Sequence, residues 1–361
     1  MVACDDCLRR TWLLEAMGAH LDFRMGSMID VLDLDDNSLI ALTGGEMRRT
    51  LARRHSGFAA VDAQLLRSRA QAASLTQLCR CEASYPTALE GVRASPAVLH
   101  VAGGLERFLT LCAEDAVAVV GSRKANEYGI DVARALGRGI SASGLTVVSG
   151  MALGVDSACH EGALMAGRRT IAVLPGCAAE AYPRSKRVLH RQILEAGAAI
   201  SETGPGAAIR RWMFPARNRL IAALSRLVVV VQAGGGSGAL LTVDAARAYG
   251  REVGAVPGSV LHVLSAESNS LIAGGGWLIR DAQDVLDVIF GVGERVASNS
   301  CTRSLEPEQR AVIDAIRAGA DMAAELARLG HGGEQGLATL ASLELAGVIR
   351  RTTGGRYAVT S

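Results

Sequence analysis

The stretch AVAVVGSRKANEYGIDVARALGRGISASGLTVVSG, residues 116–150, decides the fold. Five consecutive apolar residues, Ala116–Val120, run into the glycine turn Gly121-Ser122-Arg123. A helical segment around Gly129–Ser143 follows, and Leu145–Val148 is a second apolar run that ends at Ser149-Gly150. A parallel strand covered by helices on both faces has no solvent side to keep polar, so it reads as a short continuous run of Val, Ile, Ala and Leu. The pattern recurs downstream. Thr170–Leu174, Ala198–Ser201, Leu227–Val231 and Glu252–Val256 are predicted strands, with helices around Asp156–Gly167, Ser185–Ala196, Arg219–Leu224 and Leu240–Tyr249. This βα alternation specifies an α/β fold with a doubly wound, mainly parallel sheet and right-handed crossovers.

Working outward, residues 1–80 carry short pieces of helical spacing and predict a small helical N-terminal domain. Residues 81–114, with Tyr85-Pro86, Ser95-Pro96 and one apolar run at Ala97–Val101, read as a connector into the sheet domain at 115–290. The polar, small-residue stretch 291–304 reads as a linker. Helices at Pro307–Ala318 and Leu337–Ala346, then a hairpin turning at Gly354-Gly355, predict a winged-helix module over 305–361. Its helix Leu337–Ala346 has no basic residue, and Leu340, Leu343 and Leu345 suit packing, so a protein-contact or regulatory role stands beside duplex binding.

With 361 residues, 49% of them hydrophobic, and 38 Lys+Arg against 36 Asp+Glu, the chain is neither disordered nor a fibrous or highly charged protein. A chain this long buries a core without disulfides. The segment Met1–Arg10 lacks the apolar core of a secretion signal, and the charge-free run Leu227–Val243 is interrupted by four glycines, so no membrane span, a cytoplasmic location and reduced thiols are expected.

Glycine turns at strand ends sit where strand C-termini and helix N-termini converge with unused N–H groups. Three occur here: Gly121-Ser122-Arg123, Ser149-Gly150 through Gly154, and Gly234-Gly235-Gly236-Ser237-Gly238. Together with Arg123 they point to anion or phosphate binding. The phosphate-loop pattern G-x-x-x-x-G-K-[ST] is absent, and the first turn lacks the G-x-G-x-x-G spacing of dinucleotide binders. Charge is concentrated too: Arg184–Arg226 holds nine basic residues against Glu195 and Glu202. Within it, Arg210-Arg211-Trp212-Met213-Phe214-Pro215-Ala216-Arg217-Asn218-Arg219 sets two scarce aromatics among arginines, the combination that stacks bases while neutralising a nucleic-acid backbone. Two aromatics two residues apart beside a proline predict an extended segment with both on one face. Phe214 is read as a stacking platform, and Trp212 as either a platform or a core residue.

No catalytic constellation emerges. His160 and His190 lie on predicted helices without a nucleophile or carboxylate at a recognisable spacing, and Cys159 and Cys177 read as small apolar residues. Cys4-x-x-Cys7 and Cys79-x-Cys81 are candidates for a four-thiolate zinc site, although nothing in the sequence fixes the distance between the pairs.

These residues resemble the DprA/Smf family of DNA-processing proteins of bacterial natural transformation. The resemblance runs in order through VAVVGSRKANEYG (117–129), TVVSGMALGVDSACHEGAL (146–164), TIAVLPG (170–176), AYP (181–183), FPARNRLIAALS (214–225), GSGALLTVDAARAYGREVGAVPG (236–258) and NSLIAGGGWLI (269–279), and LELAGVIRRTTGGRYAV (343–359) is similar to its winged-helix end. It implies an extended Rossmann-like domain that binds single-stranded DNA without reacting on it and needs no cofactor. It also implies a homodimer that protects incoming DNA and loads the RecA recombinase. Carried over by position, Gly121, Ser122 and Arg123 hold phosphate, Phe214, Arg217, Asn218 and Arg219 lie at the DNA pocket, and Ser149, Gly150, Gly236, Ser237 and Gly238 form its walls; Arg211, from the arginine-rich segment itself, joins the candidate DNA contacts. Met213, Cys177 and Ser268 depart from the family pattern and bear on local pocket shape. The alternative is a nucleotide phosphoribohydrolase or a nucleotide-ligand-binding protein on the same sheet. The hydrolases of that group carry a glutamate in PGGxGTxxE, whereas here no carboxylate follows the glycine turn until Asp244.

Overall fold

The computed structural model describes every residue except 1–2, 24–27, 56, 168, 299–305, 346–347, 353 and 360–361. The chain divides into two units, Met1–Val296 and Ala297–Ser361.

The first unit starts with short helices: α1 (Asp5–Ala16), α2 (Gly18–Leu21), α3 (Met28–Leu32), α4 (Asp36–Ala41), α5 (Glu46–His55) and α6 (Ala63–Ala72). Aspartates cap two of them. Asp35 accepts the Ser38 N–H at 3.0 Å before α4, and Asp62 accepts that of Leu65 at 3.1 Å before α6. Leu13, Met17, Leu21, Leu32, Leu39 and Leu51 form their common core.

There follow β1 (Thr76–Cys79), β2 (Val98–Ala102), α7 (Leu105–Ala113), β3 (Ala116–Val120), α8 (Glu127–Ala142), β4 (Thr146–Ser149), α9 (Val155–Met165), β5 (Thr170–Val173), α10 (Arg187–Ala196), β6 (Ala198–Ser201), α11 (Met213–Ala223), β7 (Leu227–Val230), α12 (Ala239–Ala248), β8 (Glu252–Ala255), α13 (Ala266–Ala273), β9 (Trp277–Leu278) and α14 (Ala282–Phe290). Among the described residues, nine strands form one sheet in the order β1-β2-β6-β5-β4-β3-β7-β8-β9. All pairings from β6 to β9 are parallel, while β2 pairs antiparallel with both β6 and β1. The six strands expected from apolar runs appear within a residue of their expected ends, and β3, β4, β5, β6 and β7 are buried along their whole length. The segment read as a connector supplies β2 and α7. Its apolar run was legible, but pairing with β6, about a hundred residues later, was not.

One local expectation is overturned. Residues 213–223 are the helix α11 rather than an extended segment, with Trp212 at its N-cap. Pro215 falls in the first turn, where its missing N–H has no intrahelical acceptor to lose. Residues two apart on a helix point in nearly opposite directions. Trp212, 2% exposed, therefore enters the N-terminal helical core with Met213 and Ala216, and half-buried Phe214 does not.

The second unit comprises α15 (Pro307–Arg317), α16 (Ala323–Arg328), α17 (Gly333–Leu345) and the antiparallel pair β10 (Ile349–Arg351) and β11 (Tyr357–Val359), the element order of a winged helix. Val312, Ile313, Leu326, Leu340 and Leu343 are its core; the side chain of Leu345 and residues 299–304 of the expected linker lie outside the described residues. No helix among the described residues is long and apolar enough to cross a membrane.

Candidate functional site

The sheet reverses its winding at β3, which has β4 on one side and β7 on the other. Successive crossovers leave such a point in opposite directions, opening a crevice at the strand C-termini. A cavity of about 630 Å³ lies there. Gly121–Lys124 after β3, Gly234–Gly238 after β7, Ala152 and Asp156 at the start of α9, and Phe214, Arg217 and Asn218 of α11 line it. The starts of α9 and α12 bring the positive ends of two helices to this edge.

The first turn is held by its backbone: Ser122 N–H donates to the Gln232 carbonyl at 2.7 Å, and Ser122 C=O accepts from Val155 N–H at 3.3 Å. The Ser122 hydroxyl accepts the Lys124 N–H at 3.1 Å, which leaves its own hydrogen for another acceptor. Arg123 and Lys124 are exposed. The Arg123 guanidinium carbon is 5.2 Å from the centre of the Phe214 ring, and the Tyr182 ring lies 5.5 Å from Phe214, tilted by 59°. Tyr182 was missed in the sequence as a member of the site. Its only local signal is a scarce aromatic placed before a proline.

Arg217 is buried and holds the walls together. Its Nη1 donates to the carbonyls of Gly150 and Val173, the latter at 2.6 Å, and its Nε donates to Asn218 Oδ1 at 3.0 Å. Asn218 Nδ2 in turn donates to the Gly238 carbonyl at 3.1 Å. Two neighbouring residues of α11 thereby tie the turn after β4, the end of β5 and the glycine loop after β7. A side chain at position 150 would occupy the space of the Arg217 guanidinium, so only glycine fits there. The charge of Arg217 is answered by Asp156, whose Oδ2 lies 3.8 Å from Nη2 and accepts the N–H groups of Gly150 (3.2 Å) and Ala152 (3.4 Å). Burial pushes the Asp156 carboxyl above the usual carboxylate range, opposed by the Arg217 charge.

Of the residues singled out in the sequence, Gly121, Ser122, Arg123, Phe214, Arg217, Asn218, Gly236, Ser237 and Gly238 line the cavity. Four do not. Ser149 is buried and donates to the Val119 carbonyl at 2.6 Å, and Gly150 packs against Arg217. Arg211 is exposed away from the lining, and Arg219 is buried with Nη2 at 2.7 and 2.8 Å from the two Glu202 oxygens. His160 and His190 are core residues: His160 Nδ1 is 2.6 Å from the Thr170 hydroxyl, and His190 Nε2 donates to the Ala178 carbonyl at 3.0 Å. Burial pushes His160 down to about 3.

A doubly wound sheet with a cationic, glycine-walled crevice at its switch point defines the class: an α/β protein of the extended Rossmann-like kind. The family model of DNA recombination-mediator protein A matches residues 76–290, and the chain belongs to that family. It is 39% identical over 222 residues to the DNA processing protein DprA of Mycobacterium tuberculosis, covering 62% of this chain and 55% of the relative, and thus spans about half the length of that relative. It is 39% identical over 202 residues to DprA of Streptococcus pneumoniae, covering 56% of this chain and 70% of the relative. The X-ray structure of the pneumococcal protein superposes with a TM-score of 0.62 at 31% identity, over 78% of this chain and 95% of the other. DNA processing protein A of Helicobacter pylori, solved for its single-stranded DNA binding mode, superposes with a TM-score of 0.53 at 26% identity, over 60% of this chain and 95% of the other.

Proposed function

We propose that this chain binds single-stranded DNA in the crevice between β3 and β7, and acts in the bacterial cytoplasm as a homodimeric mediator that protects incoming DNA and loads a RecA-type recombinase onto it. The observation that carries the reading is the juxtaposition of the exposed Arg123 guanidinium with the Phe214 ring at a glycine-walled cavity. Arg123 and Lys124 neutralise phosphates, and N–H groups of the glycine loop after β7 add donors for phosphate oxygens. Phe214, with Tyr182 beside it, offers an aromatic face to an unpaired base. Bases in a duplex are already stacked and cannot use such a face, which favours single strands. Membership of the recombination-mediator family and the single-strand binding of the H. pylori protein support the same reading.

The reading is of a binding site and not a catalytic one. Asp156 is the acidic residue among those lining the cavity, and its carboxylate is engaged by two backbone N–H groups and Arg217. The test is fluorescence anisotropy with an unstructured oligothymidine, the matching duplex and thymidine monophosphate as competitors. Preference for the single strand, with stimulation of RecA filament growth on the same strand, is the expected result. Tighter binding of the mononucleotide, or release of free base from a nucleotide panel, would replace this reading with the nucleotide-binding or hydrolytic one.

A further inference from the structure

We propose that Cys4, Cys7, Cys79 and Cys81 hold one zinc ion that fastens the start of α1 to the end of β1. Their four Sγ atoms all lie within 4.8 Å of one another; Cys81 Sγ is 3.9 Å from that of Cys4 and 3.7 Å from that of Cys7. Zinc–sulfur bonds of about 2.3 Å in a tetrahedron place sulfurs about 3.8 Å apart, so the sulfurs already stand at the edge length of such a site. They are too close together to surround a multinuclear iron–sulfur cluster and too far apart to be disulfide-bonded, and all four thiols are free. A set of four soft thiolates selects zinc over magnesium or calcium, and four protein ligands leave no open position for catalysis.

Local structure prepares both halves. Cys4 is the N-cap of α1 and Cys7 lies in its first turn, so one helix start supplies two of the four sulfurs. Cys79 ends β1 and Cys81 lies two residues on. Between them the chain is fixed by Arg80 N–H donating to the Ala97 carbonyl at 3.1 Å, and beyond them by Glu82 N–H donating to that of Cys79 at 3.0 Å. Arg67 Nη2 donates to the Ala3 carbonyl at 2.8 Å and fixes the residue before Cys4. Cys7 and Cys79 are buried with Leu8, Ala63 and Val98, while Cys81 is exposed and gives the ion a way in. Binding replaces four S–H bonds by four Zn–S bonds and releases four protons to solvent, leaving a net charge of −2 on the site. The ion thus cross-links segments more than seventy residues apart at the edge of the sheet.

Metal analysis of the full chain, purified from zinc-supplemented cells, is expected to find one zinc per chain, and Cys81→Ser or Cys4→Ser to lose it. Cys112→Ser, outside the cluster, keeps it. Cobalt substitution is expected to give the thiolate-to-metal charge-transfer band of four sulfurs, weakened in Cys81→Ser; the exposure of Cys81 keeps that variant folded, as circular dichroism checks. Background metal content with all four thiols open to a disulfide reagent, iron in place of zinc, or equal zinc in wild type and both serine variants overturns the proposal. None of these readouts depends on DNA binding.

Discussion

The Arg123 guanidinium stands 5.2 Å from the centre of the Phe214 ring, linking the turn after β3 to the first turn of α11 across ninety residues of chain. At an exposed site such a cation–π contact contributes about 0.5–1 kcal/mol. It couples the two side chains on which the proposed single-strand binding rests.

Arg123→Ala is expected to weaken single-strand binding and to reduce the slope of log affinity against log salt by about 0.7, the share of one phosphate contact on single strands. Phe214→Ala is expected to cost about 1–3 kcal/mol of binding with the salt slope unchanged. Anisotropy titrations at several salt concentrations separate the two. Equal binding by wild type and Arg123→Ala at moderate salt would remove the turn after β3 from the interface.

Trp212→Ala, two residues from Phe214, should do the reverse. Its ring is buried against the N-terminal helices, and deleting a buried Trp typically costs about 3–5 kcal/mol. Urea unfolding reads the loss, while the folded fraction keeps its affinity for oligothymidine.

Asp156→Ala leaves the buried Arg217 charge without its counter-ion and is expected to destabilise the fold by about 3–5 kcal/mol. Replacing Arg217 by Met in the same chain is expected to restore part of that loss, because an apolar pair requires no charge in the interior. If Asp156→Ala unfolds at the wild-type urea midpoint, Asp156 does not neutralise Arg217.

Glu15 supplies a pH dependence. Its Oε1 accepts the Gly204 N–H at 2.6 Å, and burial pushes its carboxyl up to about 7, opposed by that hydrogen bond and by Arg69. Between its ordinary value and about 7 the folded state binds the proton that the unfolded state has released. The contribution of Glu15 to stability therefore falls as pH rises through this window, by at most about 3 kcal/mol. Glu15→Gln keeps an acceptor for Gly204 and has no proton to lose, so it should flatten that part of the stability–pH curve and exceed wild type above pH 7. Parallel wild-type and Glu15→Gln curves would exclude this origin.

The strands at 116–120, 146–149, 170–173, 198–201 and 227–230 were legible, to within a residue at each end, because a strand buried on both faces leaves no polar alternation. The glycine turns were legible for a similar reason, since close backbone approach tolerates little else. The antiparallel edge was not. Pairing of β2 with β6 rests on hydrogen bonds between distant segments that leave no mark in either one. Pro215 misled because proline breaks a helix interior but is tolerated in the first turn, and only the helix start shows that it sits there.

The sequence by itself determined the doubly wound sheet, the family and the set of arginines and aromatics from which the crevice is drawn, because periodicity and backbone requirements are written locally. Only the tertiary structure decided which members face the cavity. Arg217 is held inside by Gly150, Val173 and Asp156, Arg219 is turned toward Glu202, and Arg123 is left exposed beside Phe214. It likewise brought Cys4 and Cys7 to Cys79 and Cys81. The direction of a charged or metal-binding side chain is set by partners that arrive from elsewhere in the chain, and those meet only when the fold closes.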